Sequence, residues 1–329
     1  MAQRMPGIVM VVFVTIFAFY AFYDRPTPDY RPTATQADKI RVDGLARGDG
    51  HLVAVGESGH LLVSDDEGKS WREAHVGKPV EATLTQVLFT DATTGFAIGY
   101  DGLVLRTVDG GKSWTEVHID KEAPGPLLGI CAAGGGRLFV AGSFGQFLMS
   151  ADRGQSWANV PVDLPDAPHL NAVGCSSDDE RAMVAGEMGV VLRSADGGRD
   201  WQPVAIPYKG SIYGVMRLSR DEWLLYGMRG HVLRSDDFGA TWRTVPMQGE
   251  TSFFGGTRLA DGRIVLVGQD GTVVTSADKG RSFQKTGMRG REVYTAALEL
   301  SPGRILLSGD DGLSEAELPR TLVSLDGRS

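Results

Sequence analysis

The sequence predicts an all-β protein, a seven-bladed β-propeller with Asp-box repeats, preceded by one N-terminal transmembrane helix. Three observations predict it. A glycine pair recurs seven times, in AVGESG, AIGYDG, VAGSFG, VAGEMG, LYGMRG, LVGQDG and LSGDDG. Its first members are Gly56, Gly99, Gly142, Gly186, Gly227, Gly268 and Gly309, at intervals of 43, 43, 44, 41, 41 and 41 residues. A period near forty residues built of short strands is that of propeller blades, which bury their faces only against neighbouring blades. A second motif follows six of the seven pairs, and an uncharged apolar stretch precedes them all.

That stretch, residues 5–23, is MPGIVMVVFVTIFAFYAFY. Nineteen residues at ~1.5 Å each come close to a ~30 Å hydrocarbon layer. A signal peptide has a shorter apolar core and a small-residue cleavage site. Here the stretch ends in Tyr20, Phe22 and Tyr23, aromatics suited to a membrane interface. An uncleaved anchor over 1–23 is therefore favoured over a signal peptide. Short N-terminal tails stay inside, so the expectation is a single-pass inner-membrane protein with its propeller on the periplasmic or extracytoplasmic side. Residues 24–38 hold Pro26, Pro28 and Pro32 and read as a semi-rigid linker, leaving 39–329 for the ring.

Each repeat reads as four strands, A to D. In the second, TLTQVLFT (83–90) is A, GFAIG (95–99) is B, LVLRT (103–107) is C and SWTEVHI (113–119) is D. The two residues between the glycines form the B–C hairpin tip. Between C and D lies S/T-x-D-x-G-x-S/T-W, the Asp box, as in SDDEGKSW (64–71) and TVDGGKSW (107–114). Its aspartates are Asp66, Asp109, Asp152, Asp196, Asp237 and Asp278. The motif is a turn: the carboxylate accepts backbone amides, glycine takes positive φ, and the aromatic closes the loop. Gly-Lys-Ser in two copies is not a phosphate loop, because Val63 and Arg106 stand where that motif needs glycine. The acidic loops also lack the ligand spacing of an EF-hand.

The seventh repeat has no Asp box. Its outer strand is expected from TLVSLD (321–326) or from residues before Ile40, with the former slightly favoured. Cys131 and Cys175 each lie 11 residues before a repeat glycine, which gives them equivalent places on adjacent inner strands. Equivalent side chains point the same way round the ring, so two buried thiols are expected.

Net charge is −8, from 33 basic and 41 acidic residues, which argues against nucleic acid as a partner. The six histidines are scattered, and no metal or other cofactor is expected.

The repeat G-x-x-G-x-x-x-R-S/T-x-D-G-G-K-S-W of the second copy resembles two groups of Asp-box propellers. One is the sialidases and other glycosidases with bacterial neuraminidase repeats; the other, which it matches better, is the photosystem II stability/assembly factor family. The first would imply an arginine triad, a tyrosine–glutamate nucleophile and a Phe-Arg-Ile/Leu-Pro motif, and that tetrapeptide does not occur. Asp310 and Asp311 are the one conspicuous acidic pair outside the boxes on the tip face, and a solvated turn explains them. The second resemblance implies a non-enzymatic propeller that binds membrane-protein segments or partner subunits through an arginine-rich face. Bacterial relatives with such an anchor resemble companions of resistance–nodulation–division transporters. The resulting expectation is an accessory or assembly subunit of an integral membrane complex, with an exported glycosidase or carbohydrate-binding propeller as the alternative.

The expected binding face is the tip rim of blades 5 to 7. Tyr213, Met228, Arg229, His231 and Phe254 come from blades 5 and 6, Arg289, Arg291 and Tyr294 from the entry to blade 7, and Phe144 from the tip of blade 3. These residue types are enriched in interfaces. Arg106, Arg193 and Arg234, one repeat position just before the Asp box, form the alternative patch.

Overall fold

The computed structural model describes residues 36–120, 125–286 and 290–319. They form seven sheets in chain order, each built outward from strand A. Blades 1 and 3 to 6 have four strands and blade 7 has three among the described residues. Blade 2 has five, because His75–Val76, leaving blade 1, pairs parallel with Ser113–Trp114. Strand B is buried along its whole length in blades 1, 2, 4, 5 and 6, as in Gly95–Gly99 and Trp223–Gly227.

The Asp-box aromatics pack between blades as well as within them. Phe96 of blade 2 meets Trp157 of blade 3 edge-on at 6.2 Å, and Phe139 of blade 3 meets Trp201 of blade 4 at 5.5 Å. Burying one such ring contributes about 1.5–3 kcal/mol, and only the neighbouring blade can supply the cover.

The repeat glycine answers a close approach of two backbones. A Cβ on Gly56 would lie 2.0 Å from the Arg41 carbonyl oxygen, and one on Gly309 1.9 Å from that of Val293. The next residue donates its N–H to the same carbonyl, as Tyr100 does to Thr83 at 2.9 Å and Asp310 to Val293 at 3.2 Å. The glycine backbone itself is extended, with φ −169° at Gly56. The left-handed residue is two further on: Ser58, Asp101, Phe144, Met188, Arg229 and Asp270 have φ between 52° and 59°.

The expectation of two thiols is overturned: Cys131 and Cys175 form a disulfide, with Cα atoms 5.8 Å apart. Counting back from the glycines hid a one-residue offset. Cys131 pairs with Phe139, three residues before Gly142, whereas Cys175 pairs with Ala182, four before Gly186. The structural equivalent of Cys131 is therefore Gly174. One step along a strand turns a side chain to the opposite face, so the two sulfurs point at each other across the gap between blades 3 and 4.

At the seam, Leu313 N–H of blade 7 donates to the Ala37 carbonyl at 3.0 Å, and Ala37 is buried. The chain thus joins the ring two residues before the expected boundary at 39. The slightly favoured closing segment, 321–326, lies outside the described residues. So does the expected anchor over 1–23; among the described residues no helix is long and apolar enough to cross a membrane.

Candidate functional site: the two rims of the ring

Strand C runs from the hairpin tip to the Asp box, so these features occupy opposite rims. In the second box, Asp109 Oδ1 accepts the Ser113 N–H at 2.9 Å and Oδ2 accepts its hydroxyl. The buried Thr107 hydroxyl links the turn, donating to Asp109 at 2.8 Å and accepting the Gly111 N–H at 3.1 Å. Burial alone raises the Asp109 carboxyl, but the bonds from Ser113 and Thr107 bring it down to about 2. Asp66, held chiefly by Ser70, also falls to about 2. Asp152, Asp237 and Asp278 are lowered by the same contacts. In the fourth box Asp200 replaces the serine, and beyond Ser194 Asp196 holds the amides of Arg199 and Asp200.

The alternative arginine position belongs to this scaffold. Arg234 is 5% exposed, bonded to Glu222 at 2.7 Å, to Asp236 and to the Lys279 carbonyl of the next blade at 2.8 Å. Arg193 likewise donates to the Phe238 carbonyl of blade 5 at 2.8 Å. Arg106 is half-buried, with its Nε enclosed. Other arginines tie neighbours together on the same side: Arg137 to Glu180, Arg217 to Asp178 and Asp179, Arg258 to the Leu218 carbonyl. A bidentate planar cation suits such joints better than lysine, which gives a structural use to the 25 arginines that stand against 8 lysines.

The tip rim opens into a cavity of about 780 Å³ along the ring axis. Every strand A begins with a register shift against strand B, between Val42 and Gly44 in blade 1 and at the same place in the other six. A bulge re-aims one side chain, and all seven bulge residues line this cavity. In three blades the side chain bonds to the next blade. Thr85 donates to the Leu127 carbonyl at 2.6 Å, Asn171 to Ile212 at 2.9 Å and Thr295 to Val42 at 2.8 Å, the last across the seam. The other four are Asp43, Leu128, Tyr213 and Phe254.

Tyr213 and Phe254, both foreseen at this rim, lie with ring centroids 5.3 Å apart. Beneath them is Tyr226, which lines the cavity where Gly214 and Gly256 leave room; a Cβ on Gly214 would fall 1.9 Å from its ring. Burial pushes its phenol upward. On the other side Arg41 Nε sits 2.9 Å from Asp43 and 3.7 Å from Asp310. Burial raises the Asp43 carboxyl although Arg41 draws it down.

The remaining expected residues are dispersed. Phe144 is 68% exposed at its tip, its ring against His169 at 4.8 Å. Arg229 is exposed at the tip of blade 5, and its N–H donates to Ser252. Met228 offers its carbonyl to Tyr208 and to His231, which stacks on Tyr208 at 3.8 Å. Arg291 is exposed, and Arg289 lies outside the described residues. Tyr294 is not at the surface: it opens strand A of blade 7 and packs in the core between blades 6 and 7. The bulge residues Asp43, Thr85, Leu128, Asn171 and Thr295 escaped notice, although a position 13 to 15 residues before each repeat glycine would have marked them. Among the described residues no group of three or more His, Cys, Asp or Glu side chains is placed to hold a metal ion.

The sequence matches the family described as photosynthesis system II assembly factor YCF48 over residues 31–108 and 136–291. The chain belongs to that family. A comparison with curated protein sequences gives no significant match. Among solved structures, YCF48 bound to D1 peptide superposes with a TM-score of 0.67 at 19% identity, covering 89% of this chain and 97% of that one. YCF48 from Cyanidioschyzon merolae gives 0.68 at 16%, covering 88% and 98%. The GH74 xyloglucanase from Xanthomonas campestris gives 0.65 at 14%, covering 88% of this chain and 54% of that one. At these identities the structures share the fold.

Proposed function

We propose that this protein is a membrane-anchored binding propeller, an accessory or assembly subunit of an integral membrane complex on the extracytoplasmic side of an inner membrane. The observation that carries the reading is the division of labour between bulge residues. Three hold the ring together, while Tyr213, Phe254 and Leu128 face the cavity with no such bond to make. Family membership supports binding as the mode of action, since a YCF48 propeller of the same fold holds a D1 peptide. A transporter of the resistance–nodulation–division type is the client class to test first.

The test is purification of the tagged full chain from native membranes in mild detergent, with quantitative mass spectrometry. Reproducible enrichment of one integral membrane complex is expected. Failure to enrich any integral membrane protein, or release of the chain by a carbonate wash, overturns the reading.

A second reading, carbohydrate binding or hydrolysis, is favoured by one cluster. Asp43 and Asp310 flank Arg41 in the cavity wall, and one of the two is raised by burial. Release of sugars from oligosaccharides that stops with Asp43→Asn or Asp310→Asn would establish it in place of the first.

A further inference from the structure

We infer that the axial cavity at the tip rim is a socket for a basic segment of a protein partner, one that packs an aromatic side chain against the Tyr213–Phe254 pair. This deepens the binding function proposed above and rests on it. Seven equivalent bulge positions face the cavity, and those of blades 2, 4 and 7 are consumed by bonds to the next blade. Tyr213 and Phe254 make no such bond, yet they stand side by side as tilted aromatic walls. Strand A of blade 6 also departs from the repeat. Gly256 stands where the other blades carry Leu45, Val87, Ile130, Val173, Val215 and Ala297. A Cβ there would lie 3.1 Å from the Tyr226 hydroxyl. The departure makes room for the Tyr226 phenol in the cavity wall below the aromatic pair.

Charge selects the rest of the ligand. The two residues at each tip together carry Glu57, Asp101, Glu187, Asp270, Asp310 and Asp311, against Arg229 alone. Glu57, Asp43 and Asp310 line the same cavity as the aromatic pair, against one cation, Arg41. Asp43, nine-tenths buried in that wall, keeps Oδ2 without a hydrogen-bond partner. A rim of this sign repels an acidic segment and attracts a basic one. An aromatic pair holds a third ring packed on it by edge or offset contact, and a neighbouring cation by its attraction to the ring face. A socket that joins an aromatic pair to a mainly polar wall with an excess of carboxylates thus fits a Lys or Arg beside a Phe, Tyr or Trp.

The experiment uses the full chain in detergent and three fluorescein-labelled nonapeptides of Gly and Ser carrying Lys-Phe, Glu-Phe or Lys-Ser at the centre. Polarisation titrations should rank Lys-Phe first by about tenfold over each of the others, with affinity falling as salt rises. Tyr213→Ser with Phe254→Ser should abolish the preference for Phe. Asp310→Asn with Asp311→Asn, exposed changes that leave the fold intact, should erase the preference of Lys over Glu. Equal binding of the three peptides, preference for Glu-Phe, no binding of Lys-Phe by about 1 mM, or unchanged binding in both double variants overturns the socket. Saturable binding of a cello-oligosaccharide displaced by no peptide also overturns it, in favour of the carbohydrate reading. Co-purification of a membrane complex by the Tyr213→Ser, Phe254→Ser chain at wild-type level would refute the socket while leaving the binding function standing. Absence of any complex with the wild-type chain would refute the function itself.

Discussion

The Asp-box rim and the tip rim are made by the same seven repeats, yet their polar side chains have different occupations. On the Asp-box rim many charged groups have partners inside the protein: aspartates hold amides, arginines cross to the next blade, and the disulfide lies in the half of strand A nearer this side. On the tip rim three bulge residues do comparable work, and the rest face a cavity. A repeat protein must satisfy its ring closure at every blade, but it needs only some blades for recognition. The side chains that break the repeat without joining two blades are therefore the ones to suspect of function.

The largest effect that would sharpen this contrast concerns the cysteines. The bond closes a segment of 44 residues, and its loss by Cys131→Ser with Cys175→Ser should lower unfolding free energy by up to about 4 kcal/mol. Denaturant unfolding with and without reductant measures it; two titratable thiols in the native protein would show that the rim lacks this rivet. Next comes arginine. Arg234→Ala strips Glu222 and Asp236 of a buried partner and should cost about 3 kcal/mol. The combined change of Arg229, Arg289 and Arg291 to serine should stay within ~1 kcal/mol. A reversed order in thermal melts would break the comparison between the rims.

Smaller again is the loss on Asp109→Ala, about 1–3 kcal/mol, since the Ser113 amide and both hydroxyls lose their acceptor. Asp196→Ala should lower the melting temperature less, because no hydroxyl at position 200 is stranded. The smallest effects are those of acid on single boxes. Asp66 and Asp109 titrate near 2 when folded, against about 3.9 in an unfolded chain. Their contribution is present above pH 4 and disappears as pH falls from ~4 to ~2, where the unfolded state binds more protons. Carboxyl resonances of these two residues still moving at pH 5 would contradict the Asp-box geometry.

Much of this was legible in the sequence because it repeats. Seven glycines and six boxes set blade number, strand order and the roles of the aspartates, since each copy confirms the others. What escaped was whatever departs from the count by a residue. The Cys131–Cys175 pair depends on an offset between two hairpins that lies in register, outside any motif. The bulges were overlooked for another reason: Asp43, Thr85 and Tyr213 share a backbone position and no chemistry. Arg193 and Arg234 looked like a surface patch because a sequence does not show that the next blade's loop offers them carbonyl oxygens. Tyr213 and Phe254 were found by residue type, and the structure added that they are neighbours.

The seam between blades 7 and 1 has a mechanical meaning. The polypeptide enters the ring there, with Ala37 clasped by Leu313, Thr295 reaching the Val42 carbonyl, and the Arg47 guanidinium on the carbonyls of Glu299 and Leu300. Tension applied to the chain upstream of Gln36 reaches the propeller through this junction. The load falls first on the Ala37–Leu313 clasp and then on Thr295 and Arg47, before any blade is peeled from its neighbour elsewhere. A tether fixed at that point pulls on the junction where blades 1 and 7 hold each other shut.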